Sequence, residues 1–149
     1  MTGFYASFRA QHPIRDLSNL LTPLGVLPTH CWKAGDRRRT PRGEQLQGVY
    51  DFSYFCCALP LLANNDLAEW LRQAINFLRP VAKQLAAFVD DGGAISFYIG
   101  LEKGSFEGAT FAPELMIEMG ALRVSLEIDQ SLYPVLWRSA PFALPAARS

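Results

Sequence analysis

The side chains best suited to chemistry gather between His30 and Arg42, and again at Cys56-Cys57. His30-Cys31 and Cys56-Cys57 bring metal-ligating types together. Both pairs fall in segments of strand composition, where adjacent residues point to opposite faces, so each pair offers one ligand per face. No C-x-x-C spacing joins them. The expectation is no metal site and no cofactor, with the thiols serving as small packing residues. A thiol nucleophile needs a base within about 3 Å. The candidates are His30, which splays away from its strand neighbour Cys31, and His12, which belongs to another segment. A small hydrolase would have to be assembled from Asp36, His30 and Cys31, in a cleft between the Arg37 loop and the sheet. Arg37, Arg38 and Arg39, with Lys33 and Arg42, form a basic cluster suited to phosphate or to an acidic protein surface. Its simpler reading is a solvated loop. The stretch Gly104-x-x-x-Gly108 lacks the Lys-Ser/Thr of a phosphate loop, and neither G-x-S-x-G nor H-E-x-x-H occurs. The chain thus shows no coherent catalytic set, and the reading leans away from an enzyme.

The elements that must position these groups follow from periodicity. Phe4 to Arg9 alternates, with Phe4, Ala6 and Phe8 on one face and Tyr5, Ser7 and Arg9 on the other, the pattern of a half-buried strand. Pro13 suits a first helical position, with Asp16 in the first turn. Leu17, Leu20, Leu21 and Leu24 then make an apolar stripe, bent or ended early by Pro23. Gly25 closes that helix and Pro28 forces Leu27 to extend. Thr29 to Lys33 reads as a short strand anchored by Trp32, Gly35-Asp36 as a turn, and Arg37 to Gln47 as a mobile loop.

Val49 to Cys57 returns to strand composition, with Tyr50, Phe52, Tyr54 and Cys56 on one face and Val49, Asp51, Ser53 and Phe55 on the other. Asp66, followed by Glu69, caps a long helix from about Leu67 to Val89. Its stripe is Leu67, Leu71, Ala74, Leu78, Val81, Leu85 and Phe88, and Pro80 should bend or split it. Ala94 to Glu102 alternates, with Ile95, Phe97, Ile99 and Leu101 inward and Ser96, Tyr98 and Gly100 outward. A short helix, Glu114 to Met119, opens at Pro113 and closes at Gly120. Arg123 to Asp129 is the last strand, with Val124, Leu126 and Ile128 inward.

This order, β-α-β-β-α-β-(α)-β, predicts an α+β fold: a single mostly antiparallel sheet with helices on one face, of the ferredoxin-like kind. Residues 1–130 form one domain, and 131–149 a Pro-rich apolar tail whose side chains need cover on this domain or another chain.

Composition bounds the rest. At 149 residues, half of them hydrophobic, the chain is long enough for one core. Lys plus Arg equals Asp plus Glu at 14 each, so broad nucleic-acid or anionic-membrane binding is not expected. Three cysteines, two of them adjacent, make a poor disulfide framework. No apolar run has the length of a membrane span, and the first residues lack the pattern of a signal peptide, so a cytoplasmic location is expected.

Leu24-Gly25-Val26-Leu27-Pro28-Thr29, followed by Trp32-Lys33-Ala34-Gly35-Asp36, resembles a bacterial family known only as domain of unknown function 4279. The resemblance runs on through Gly48-Val49-Tyr50, the long helix with Pro80, and Pro113-Glu114-Leu115 before Met119-Gly120-Ala121-Leu122, covering roughly residues 4 to 129. The chain departs from the family at Tyr50, where tryptophan is usual, at His12, where an acidic residue is usual, and at Glu127-Ile128-Asp129. The resemblance implies the fold and a bacterial source but no activity. Some members look like relatives of toxin-neutralising immunity proteins.

The expected function is a non-catalytic binding or protein-interaction module. Its surface would be the helix-free sheet face, presenting Tyr5, Ser7, Arg9, Asp51, Ser53, Ser96, Tyr98, Ser125 and Glu127, with Asp36, Arg37 and Arg38 in the adjoining basic loop. The partner would be a protein, or a second copy through the tail. The alternatives are the small hydrolase and phosphate binding by the Arg37–Arg39 loop.

Overall fold

Hydrophobic alternation at the N-terminus produces the central strand. In the computed structural model, which describes residues 3–62 and 65–131, β1 spans Phe4–His12. It buries Phe4, Phe8 and Ala10 on one side. Four further strands complete its sheet: β2 (His30–Trp32), β5 (Ser53–Cys57), β6 (Ala94–Glu102) and β7 (Val124–Ser131). Their order is β2-β5-β1-β6-β7. Every pairing is antiparallel except β6 with β7, which is parallel. A separate two-stranded hairpin joins β3 (Arg37–Arg39) to β4 (Gln45–Val49).

The helices lie on the Phe8 side. Asp66 caps α1 (Leu67–Leu78) by accepting from the main-chain N–H groups of Ala68 and Glu69. Pro80, which has no N–H to give, turns Arg79–Val81 into a 3-10 segment and separates α1 from α2 (Ala82–Asp90). Leu71, Ala74, Leu78, Val81, Leu85 and Phe88 all bury against Phe8, Phe55, Phe97 and Ile99. The third helix, α3 (Pro113–Leu122), adds Leu115, Met119 and Leu122 to the same core. The α+β sandwich with a mostly antiparallel sheet is therefore present.

Four local expectations are corrected. The leucine stripe at 17–24 forms turns and a 3-10 segment, Thr22–Leu24, in place of a first α-helix. Side chains take the main-chain groups a helix needs. His12 Nδ1 accepts from the N–H groups of Ile14 and Arg15, and Asp16 accepts from Ser18. Leu17 and Leu21 are still buried, so the stripe finds its core without a helix, and Gly25 closes the segment at φ +75°. The expected loop at 37–47 contains the hairpin strands β3 and β4. The strand expected over 49–57 breaks at Tyr50–Phe52, between β4 and β5. Finally, α3 runs through Gly120 to Leu122 and ends on Arg123 at φ +62°. Burial of Leu122, with Leu115 and Met119, outweighs the roughly 1 kcal/mol that a helical glycine costs. The expected C-terminal tail lies outside the described residues from 132 onward.

Candidate functional site

Cross-strand register decides which side chains share the helix-free face. Arg9 stands opposite Cys56 on β5 and Ser96 on β6, and Ser7 stands opposite Tyr98. His30 faces Cys56, and Trp32 faces Tyr54. Glu127 and Asp129 of β7 stand beside Tyr98 and Gly100. This face therefore carries Tyr5, Arg9, Ser96, Tyr98 and Glu127, as the alternation predicted. Asp51 and Ser53 do not join them. Asp51 sits in the bend before β5, and Ser53 is fully buried on the other face, where its Oγ accepts from the Ala34 N–H. Tyr54 and Cys56 take their place. The strand is buried on both faces, so hydrophobicity could not set its parity.

Much of this face is packed, not wet. Arg9 and Tyr98 are each 7% exposed and Tyr54 is 1%. The Arg9 guanidinium lies 3.8 Å from the Tyr98 ring centroid. Tyr98 donates to Asp129 Oδ2 at 2.9 Å, and Ser96 donates to Glu127 Oε1 at 3.0 Å. Burial and the neighbouring Asp129 carboxylate push the Tyr98 phenol well above its ordinary range. A Cβ on Gly100 would lie 2.6 Å from the Tyr5 ring, so glycine is what admits that ring.

Concavity begins at the β2 edge. Trp32 lies between two rings, with Tyr54 below at 4.6 Å and Tyr50 above at 4.3 Å, nearly parallel. Its Nε1 donates to the Phe52 carbonyl. Tyr50 Oη accepts from the Arg39 N–H and donates to the Arg39 carbonyl, while main-chain bonds link Gly35 and Asp36 to Tyr50. This stack clamps the hairpin over β2 and leaves a cleft of about 310 Å³. His30, Cys31, Asp36, Arg37 and Arg39 line it, with Trp32 and Tyr50. Strand alternation sends Arg37 and Arg39 to the cleft and Arg38 away from it.

The structure thus brings His30, Cys31 and Asp36 to one cleft, although no hydrogen bond joins any two of them among the described residues. Burial, then the positive charge of Arg9, lowers the His30 pKa and favours the neutral imidazole. Desolvation, then the Asp16 carboxylate, pushes the Cys31 thiol up to about 11, so it is protonated at neutral pH. All three cysteines are free thiols.

The arginines at this end differ from those elsewhere. Arg15, Arg72, Arg79 and Arg123 each reach a carboxylate. Arg37, Arg38 and Arg39 bond main-chain carbonyls of Leu46, Gln47 and Gly43, and among the described residues no carboxylate lies within ion-pair distance of them. The sequence marked the cluster Arg37, Arg38 and Arg39 without separating its members. It missed that Arg37 and Arg39 line the cleft while Arg38 does not, and that Tyr50 holds the hairpin. The signal for both was the register of an alternating pair of strands, which a loop assignment conceals. No helix among the described residues is long and apolar enough to cross a membrane.

The model of a family described as a domain of unknown function (DUF4279) matches residues 2–133. No curated protein and no solved structure gives a significant match.

Proposed function

We propose that this chain, which belongs to the DUF4279 family, is a non-catalytic module that binds a protein partner through the cleft and hairpin at its β2 edge. One observation carries the reading: Arg37, Arg38 and Arg39 stand on a ring-clamped hairpin with no carboxylate within ion-pair distance among the described residues, whereas the helical side pairs its arginines internally. Rigid guanidinium groups left with unused N–H donors suit recognition of an acidic surface. The formal charge of the chain is zero, so this is a local feature of one end and not a general polyanion affinity.

The role fits a bacterial, cytoplasmic protein that neutralises a toxin or masks a partner. The test is co-expression with the products of the genes that flank its own, followed by gel filtration. The expected result is a co-eluting complex that R37E/R38E/R39E disrupts while the variant keeps its thermal midpoint. A complex indifferent to those three charges would overturn the assignment of the surface. Self-association through residues 131–149 belongs to the same proposal, and their deletion should lower the number of copies per particle in solution.

A second reading, a small hydrolase, has one observation in its favour: His30, Cys31 and Asp36 share a cleft. Against it stand a protonated thiol and the lack of any hydrogen bond among the three. Ester or amide turnover lost on both H30A and C31A would replace the binding reading.

A further inference from the structure

Resting on the binding-module reading, we infer that the cleft between β2 and the β3–β4 hairpin takes one acidic side chain from an extended segment of the partner, together with that segment's main-chain N–H. The lining is of mixed sign. Arg37 and Arg39 present guanidinium donors whose hydrogen bonds, among the described residues, go to the Leu46 and Gly43 carbonyls. Asp36 sits on the same wall, and no ion pair engages it among the described residues. A carboxylate there opposes a compact dianion such as phosphate, because like charges in one cleft repel. The same carboxylate welcomes a ligand that brings an N–H donor beside its own negative group. A peptide carrying Asp or Glu has both, a few ångströms apart.

The neighbouring groups agree with that occupant. Thr29 and Thr40 also line the wall, the Thr40 hydroxyl already accepting from the Glu44 N–H, and the lowered His30 pKa leaves an imidazole that can donate or accept. The cleft is lined by both parities of β2, His30 and Trp32 on one and Cys31 on the other. It therefore follows the outer edge of that strand, which among the described residues pairs only with β5. An extended segment lying along this edge meets main-chain groups as well as the arginines. The three-ring stack holds the hairpin in place before any ligand arrives, which lowers the ordering cost of binding.

Fluorescence anisotropy of the full chain with a short labelled peptide alternating Glu and Thr tests this. The expected result is saturable binding that R37Q/R39Q weakens about tenfold or more, since charge-assisted hydrogen bonds are lost. R72Q, an exposed arginine of α1 outside the cleft, should change affinity less than about twofold. D36N should weaken the peptide while strengthening inorganic pyrophosphate. Equal binding of a Lys/Thr peptide overturns the inference, as does an R72Q loss matching that of the double variant. Pyrophosphate binding that R37Q/R39Q abolishes, with no peptide binding, replaces the peptide with a phosphate ligand. Failure to bind either probe also overturns it. If the partner complex survives R37Q/R39Q in gel filtration, the module reading stands and only the cleft assignment fails.

Discussion

The helix-backed side of the sheet and the hairpin end are built on opposite terms. On the first, Phe8, Phe97, Leu71 and Leu85 are completely buried, and the surrounding arginines are matched to acids: Arg79 to Glu118, Arg123 to Asp90, Arg15 to Asp91. On the second, the half-buried rings of Trp32 and Tyr50, stacked over buried Tyr54, hold a small hairpin, and among the described residues its arginines bond carbonyls and no acid. The two histidines show the same contrast. His12 is buried beside Phe88 with both ring nitrogens engaged: Nδ1 accepts two N–H groups, which leaves Nε2 as the donor to Asp91. His30 lines the cleft near Arg9. One side has its polar groups settled within the chain; the other keeps cationic donors to spare.

Substitutions on the two sides should therefore differ in kind, and the largest effect belongs to the core. Phe97→Ala should cost about 3–5 kcal/mol in urea unfolding, from a cavity that α1 and the sheet cannot close. A loss below about 1 kcal/mol would show that the sheet face is not the mechanical centre. His12→Ala removes an acceptor shared by two main-chain donors and one bond to Asp91, and should cost about 2 kcal/mol by the same measurement.

Trp32→Ala should cost about 1–2 kcal/mol globally. Its sharper signature is local. Hydrogen exchange at Arg39 and Tyr50 should accelerate far more than at Phe97, because only the hairpin loses its clamp. Uniform acceleration would mean that hairpin and core unfold as one unit.

Smaller still is the pH dependence from His30. Its folded pKa lies below the unfolded value of about 6.5, so the unfolded chain binds more protons between those two values. Stability is full above about pH 6.5 and falls with acidification through that window, and it levels off below the folded pKa. His30→Gln should flatten this part of the urea-midpoint profile, whereas an unchanged profile would assign the slope elsewhere. Smallest of all, R37Q/R38Q/R39Q should leave the unfolding free energy within about 0.5 kcal/mol, as expected of exposed groups with no acid within ion-pair distance among the described residues. A large loss would make the hairpin charges structural, not spare.

Legibility in the sequence followed periodicity. Two-residue alternation placed β1 and β6 and their buried faces, because each strand has one apolar side and neither relies on a distant partner to reveal it. The seven-residue stripe placed α1 and α2, and Pro80 located the break between them. At Leu17–Leu24 the same kind of stripe misled, since the side chains of His12 and Asp16 satisfy the local backbone in another way. At Ser53–Cys57 the parity was hidden because both faces are covered. Arg37–Arg39 read as a loop because no apolar residue marks a strand whose order comes from Tyr50 and Trp32.

What the sequence determined by itself was the inventory and the one-sided core: alternating and helical patterns are local, and burying an apolar face is the dominant favourable term whatever it packs against. What only the tertiary structure decided was the cleft. His30, Asp36, Arg37, Arg39 and Tyr50 come together through strand register and a ring stack. Both are set by contacts between segments distant along the chain, and a one-residue change of pairing would turn each side chain to the other face.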